Sequence, residues 1–206
     1  MKFECKQCGK CCSHFDEDSG GIMIFEWEKK NLEKVAKDKK IEFKIEPGQT
    51  DYDSKSNTRI ITTYAFKAKA CPFLKDKRCS IHPNRPLYCR AYPLLAKISK
   101  DKIKLNLLDC ENAEVPKPKE YYNDYGDIFL YALELEIFRN HYLDLIKSLK
   151  DNNIINTRKE KQSDNPKEST LFEFLIKNKF LLQKDVDKII HDITNLSNAK
   201  EMINLV

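Results

Sequence analysis

The chain has 206 residues, 41% hydrophobic and 33% charged, with a net charge of +5 at pH 7. That length allows one core, or a core with a small appended domain, and the composition is that of a folded protein. Its lysines and six arginines are interleaved with acidic residues, so no basic stripe marks a nucleic-acid footprint, and no apolar run approaches the ~18–20 residues of a membrane span.

Taken in chain order, the pattern begins with Cys5-x2-Cys8-x2-Cys11-Cys12, four thiols in eight residues. Residues 1–20 read as an irregular ligand loop, with Gly9 suited to a tight turn. Gly20-Gly21 break the chain, and 21–25 is a short strand. Residues 26–39 are expected to be helical, with Trp27, Leu32, Val35 and Ala36 on one stripe. Residues 46–57 read as a loop and 58–67 as a strand. The stretch from Cys71 to Pro93 gives a turn at Lys75-Asp76-Lys77, a strand at 78–82 and a short helix at 87–91 between Pro86 and Pro93. A hairpin at 94–99 and 102–108, turning at Lys100-Asp101, delivers Cys110. Tyr88 and Tyr92 are read as core aromatics near the cysteines.

Beyond Cys110 the character changes, since no further cysteine follows. Residues 115–119 form a proline-containing connector. A long helical pattern over 121–150 repeats through Ile128, Tyr131, Leu135, Phe138, Tyr142, Leu145 and Leu149. Residues 151–169 read as a polar linker. Thr170-x-x-Glu173 is a capping box opening a helix that ends near Asn178, and 183–196 gives another. The expected fold is α+β. It has a small, mostly antiparallel sheet with a metal- or cluster-binding loop system at 1–115, followed by a helical region at 116–206.

The eight cysteines are Cys5, Cys8, Cys11, Cys12, Cys71, Cys79, Cys89 and Cys110. Residues 1–12 carry no apolar leader, so the expected compartment is the reducing cytosol, where cysteine clusters serve metals rather than disulfides. Adjacent Cys11-Cys12 also argue against a disulfide framework. C-x2-C-x2-C delivers three thiolates to one iron–sulfur cubane, whose last ligand comes from elsewhere. The later intervals, x7, x9 and x20, do not repeat C-x2-C, which disfavours a zinc ribbon. All eight cysteines are therefore candidate ligands of one or two 4Fe–4S clusters, with zinc as the alternative. Arg85 and Arg90 flank Cys89 and are candidate cluster- or anion-facing cations. His14 and His82 lie near cysteine runs as weaker ligand candidates. No catalytic residue is read from the sequence.

The order C-x2-C-x2-C-C, then C-P-F-L at 71–74, then C-x-I-x-x-x-R-P-x-x-C-R-x-Y-P at 79–93 resembles the cysteine-cluster family of zinc- or iron-chelating domains. The resemblance covers about residues 1–115 and implies a metal or iron–sulfur centre. His82 stands where relatives have a tyrosine, so the resemblance lends it no ligand role. One similar branch is the flagellin lysine N-methylase, which implies cluster-dependent methyl transfer. Against that activity, the chain has only five glycines, no G-x-G-x-x-G loop and no C-x3-C-x2-C run.

Three functions are therefore in view. The first is a cytosolic cubane-type iron–sulfur protein in redox or group-transfer chemistry. The second is a structural metal module, zinc or cluster, that presents its helices to a protein partner. The third is a protein-lysine methyltransferase acting on a protein substrate. Tyr121, Tyr122 and Tyr125 precede the long helix and are expected to pack at an interface.

Overall fold

The computed structural model describes residues 3–13, 22–66, 70–99, 102–114, 120–155 and 165–203. His14, the Gly20-Gly21 break, the end of the expected 58–67 strand, the Lys100-Asp101 turn, the 115–119 connector and the middle of the expected linker lie outside these residues.

Among the described residues the strands fall into four small sheets rather than one. In the first, β5 (Tyr64–Phe66) is flanked by β1 (Met23–Ile24) and β2 (Ile45–Pro47), both antiparallel, with Ile24 opposite Tyr64 and Ile45 opposite Phe66. In the second, β4 (Thr58–Ile61) pairs antiparallel with β3 (Thr50–Asp53) and parallel with β10 (Lys167–Thr170). The stretch expected as one strand is thus divided between two sheets. At the junction Thr62 N and Oγ1 donate to Gln49 O, and Thr63 Oγ1 accepts from Gln49 N. These bonds tie the crossing point to the chain before β3.

The third sheet is the hairpin of β6 (Leu74–Lys75) and β7 (Arg78–Cys79). Asp76 and Lys77 both have positive φ, 49° and 62°, as a two-residue turn matched to strand twist requires. The fourth is the expected hairpin of β8 (Leu94–Ser99) and β9 (Lys102–Leu107).

Among the described residues, α1 (Lys10–Ser13) carries Cys11 and Cys12, α2 is Glu26–Asp38, and α3 (Leu87–Ala91) carries Cys89. The long helical pattern is interrupted at Gly126, where φ is +52°, giving α4 (Tyr121–Tyr125) and α5 (Asp127–Asp151). α6 (Leu171–Lys177) opens with the expected capping box: Thr170 Oγ1 accepts from Glu173 N, and Glu173 accepts from Thr170 N. α7 (Gln183–Thr194) and α8 (Ser197–Ile203) follow. No described helix is long and apolar enough to cross a membrane.

The helices pack on the cysteine-rich half. One core cluster joins Leu87, Ala91, Leu94, Ala96 and Leu105 to Phe129, Leu130 and Leu133 of α5. Trp27 of α2 stacks on Phe25 at 4.7 Å and meets Phe138 edge-on at 5.1 Å. Two carboxylates in the first turn of α2 tie distant segments together. Glu26 accepts from Thr170 Oγ1 at 2.6 Å, and Glu28 accepts from Phe25 N at 3.0 Å and Leu87 N at 2.5 Å. Burial pushes both carboxyls above their ordinary range, and their hydrogen bonds oppose that rise only in part.

Candidate metal centre

All eight cysteines are free thiols, and all eight line one cavity of about 260 Å³. Four pieces of backbone bring them there. The loop before α1 and α1 itself supply Cys5, Cys8, Cys11 and Cys12. The β6–β7 hairpin supplies Cys79, with Cys71 just before it. α3 supplies Cys89, and the segment after β9 supplies Cys110. Phe66, Phe73 and Ile81 form the apolar back wall.

The first loop is pressed onto the hairpin turn. Gly9 has φ +75°, and a Cβ there would stand 2.5 Å from Lys77 O. Only glycine fits both demands. Ser13 Oγ closes α1 on Gly9 O at 2.7 Å. Cys71 N donates to Cys12 O at 2.8 Å, and Lys10 pairs with Glu111 beside Cys110. Glu28 fixes α3 through Leu87 N, and so fixes Cys89 two residues on.

Cys11 Sγ lies 3.8 Å from Cys12 Sγ, and the Cys12 and Cys71 thiols influence each other. Hydrogen bonding to Cys12, reinforced by burial, pushes Cys11 far up. At Cys12 the Cys11 thiol lowers the pKa, but the Cys71 thiol and burial outweigh that and push it up to about 12. The Cys12 thiol, helped by the Phe73 amide and opposed by burial, shifts Cys71 below the ordinary thiol value. Burial raises Cys79, Cys89 and Cys110. Cys71 is thus poised toward its thiolate, whereas the raised Cys11, Cys12, Cys79, Cys89 and Cys110 need a cation to become thiolates.

Arg85 is the arginine that faces them, beside Lys6 and Lys10. Arg85 lines the cavity, and its guanidinium favours the thiolate forms of Cys11, Cys79 and Cys89. It is anchored by Nε to His82 O at 3.0 Å and Nη1 to Cys89 O at 3.4 Å. Arg90 is not among the lining residues. Its Nε holds Arg85 O at 2.7 Å, its Nη2 holds Pro83 O at 3.1 Å, and its guanidinium lies 5.5 Å over the Tyr131 ring. Arg90 therefore braces the turn that carries Arg85.

His82 also lines the cavity, and its Nε2 is buried without a hydrogen-bond partner among the described residues. Burial and then Arg85 lower its pKa, keeping the ring neutral. Tyr88 and Tyr92 are in the wall too, and Tyr92 donates to Asp109 O next to Cys110. This contact was not legible from the sequence. Tyr125 is buried with Tyr121 packed nearby, Tyr122 is exposed, and none of the three lines the cavity.

The donor set fits a thiolate-ligated centre. Eight thiols, the cations Arg85, Lys6 and Lys10, and an imidazole nitrogen without a partner among the described residues surround a single space. Among the described residues, no three His, Cys, Asp or Glu side chains converge on one point for a single ion.

The family model CxxCxxCC, described as "putative zinc- or iron-chelating domain", matches residues 4–112. No curated protein and no solved structure matches the chain.

Proposed function

The chain belongs to the CxxCxxCC family of zinc- or iron-chelating domains, and on that premise we propose that it is an iron–sulfur protein of the cubane type. The observation that carries this reading is the gathering of eight free thiols around one 260 Å³ cavity. Cys5, Cys8, Cys11, Cys12, Cys71, Cys79, Cys89 and Cys110 would hold the iron, and Arg85 would offset the negative charge of a thiolate-ligated cluster. Such a centre supplies electron transfer or a Lewis-acidic metal for group transfer. Cys5, Cys8 and Cys11 are exposed, which leaves that side of the cavity open to a reaction partner. Methyl transfer to a protein lysine is the narrower form of this reading, and its mark would be binding of a sulfonium methyl donor at the same opening.

A second reading, a zinc module presenting its helices to a protein partner, has one specific observation behind it. Tetrahedral zinc with bonds of about 2.3 Å sets neighbouring sulfurs about 3.8 Å apart. Cys11 and Cys12 stand at that separation.

Anaerobic purification followed by iron, sulfide and zinc quantification separates the two. About four or about eight iron per chain, with equal sulfide and a visible absorption band, is the expected result. Zinc without colour would overturn the iron–sulfur reading and leave the structural module.

A further inference from the structure

We propose that Glu28 is a positioning residue of the metal centre: as the remote cap of α3, it sets how firmly the wall that carries Cys89 holds metal. This rests on the metal-centre reading above and is the same for iron and for zinc.

α3 does not keep its place unaided. It has five residues, too few for a helix to persist alone. Pro86 stands at its N-cap and offers no side-chain acceptor, and its first turn carries no acidic residue. The missing acceptor comes from 59 residues earlier in the chain. Glu28 accepts from Leu87 N at 2.5 Å with one carboxylate oxygen and from Phe25 N at 3.0 Å with the other. Phe25 is the N-cap of α2, and Leu87 is the first residue of α3. One carboxylate therefore closes the starts of two helices.

The capped helix faces two ways. Leu87 and Ala91 lie one turn apart and are buried in the core shared with α5. Cys89 is two residues on from Leu87, about 200° round the helix axis. It packs with the cluster of Phe66, Phe73 and Ile81 that backs the thiol cavity. Arg85 is attached to the same helix, since its Nη1 donates to Cys89 O at 3.4 Å and its carbonyl accepts from Arg90 Nε at 2.7 Å. An α3 without its cap is free to turn on its Leu87–Ala91 face. The Cys89 thiol and the Arg85 guanidinium would turn with it.

The same turn of α2 provides a matched comparison. Glu26 accepts from Thr170 Oγ1 at 2.6 Å and from Phe172 N at 3.4 Å, at the start of α6. Both carboxylates thus hold the start of a helix distant in sequence, but α6 carries no cysteine. Removing either should lower stability. Only the removal of Glu28 should loosen the metal.

The test is anaerobic metal quantification and timed extraction by EDTA, with denaturant unfolding of the same samples, on the wild type, Glu28→Ala, Glu28→Gln and Glu26→Ala. Losing a group that orients a metal ligand typically weakens binding about 10–100-fold, so Glu28→Ala should release metal faster than wild type by about that factor. Glu26→Ala should release it at the wild-type rate although its unfolding midpoint falls. Glu28→Gln keeps an oxygen that accepts from Leu87 N, so its release should stay close to wild type. Should Glu28→Ala fail to fold, Glu28→Asp and Glu26→Asp, each shorter by one methylene, replace the alanine pair with the same expected contrast. Equal release from the Glu28 and Glu26 variants would overturn the proposal. So would Glu28→Gln releasing metal as fast as Glu28→Ala, because the retained bond would then count for nothing. Wild-type protein that binds no metal would instead overturn the metal-centre reading itself.

Discussion

The two halves of the molecule are held together by different means. Up to residue 114 the strands have two to six residues, and α1 and α3 have four and five. Elements that short do not persist on their own. Hydrogen bonds such as Cys71 N to Cys12 O, the close seat of Gly9 and the thiol cavity bind them to one another. From residue 120 onward the main element is the 25-residue α5, with Leu133 fully buried on it. Helix length and apolar burial suffice there. The lesson lies at the boundary: α3 and β8 belong to the cysteine-rich half, yet their Leu87, Ala91 and Leu94 share a core with α5. The metal-dependent part should therefore be smaller than the sequence match at 4–112.

Metal removal gives the largest expected effect and maps that boundary. Structural thiolate sites contribute on the order of 10 kcal/mol to folding. Chelation should therefore release residues 3–13, the Cys71–Cys79 segment and the stretch around Cys110 to fast hydrogen exchange. β8 and α5 should stay protected, because their shared core needs no metal. Loss of protection in β8 and α5 at the same rate would erase the distinction between the halves.

Leu133→Ala is the converse perturbation. Leu133 is 0% exposed in the shared core, and truncation should cost about 2–5 kcal/mol. The metal content of the folded fraction should not change, because Leu133 lines no part of the cavity. Lowered stability with unaltered metal per folded chain is the expected result, read from denaturant unfolding and metal analysis together. Metal loss in the folded fraction would mean that the helical core positions the ligands.

How much of this was legible in the sequence depended on how local the cause was. The Thr170–Glu173 capping box, α2, the Asp76-Lys77 turn and the β8–β9 hairpin each depend on a few neighbouring residues, and each appears where expected. β3 lies in a stretch read as loop, because Thr50-Asp-Tyr-Asp is polar and becomes a strand only through its pairing with β4. β10 lies inside the expected linker for the same reason, as its partner is more than 100 residues away. Gly126 interrupts a pattern whose apolar spacing reads straight through it. At the site, cysteine spacing was enough to nominate all eight thiols, which share one cavity. Arg85 and Arg90 looked alike in sequence, and only the packing of Arg90 on Tyr131 and Arg85 O separates them. The unpartnered Nε2 of His82 had no sequence signal beyond its position near Cys79.

Glu134 offers the smallest effect, and it tests whether polar groups in the helical half behave independently of the metal. Its side chain is fully buried on α5, where it accepts from Asn198 Nδ2 at 2.7 Å and from Ala199 N at 2.9 Å in the first turn of α8. Burial raises its pKa, and these two bonds oppose the rise only in part. Asp192 adds to the rise and His141 opposes it. A carboxyl raised on folding contributes its stability in full below the unfolded value of about 4.3 and loses it as pH climbs through the folded value. Lowering the pH from 7 toward 4.5 should therefore stabilise the wild type relative to Glu134→Gln, whose amide does not titrate. The readout is the difference in unfolding midpoint between the two proteins across that window. A difference that stays flat with pH would mean that Glu134 keeps its charge in the folded core. The α5–α8 contact would then depend on an ionised cap rather than on apolar burial alone.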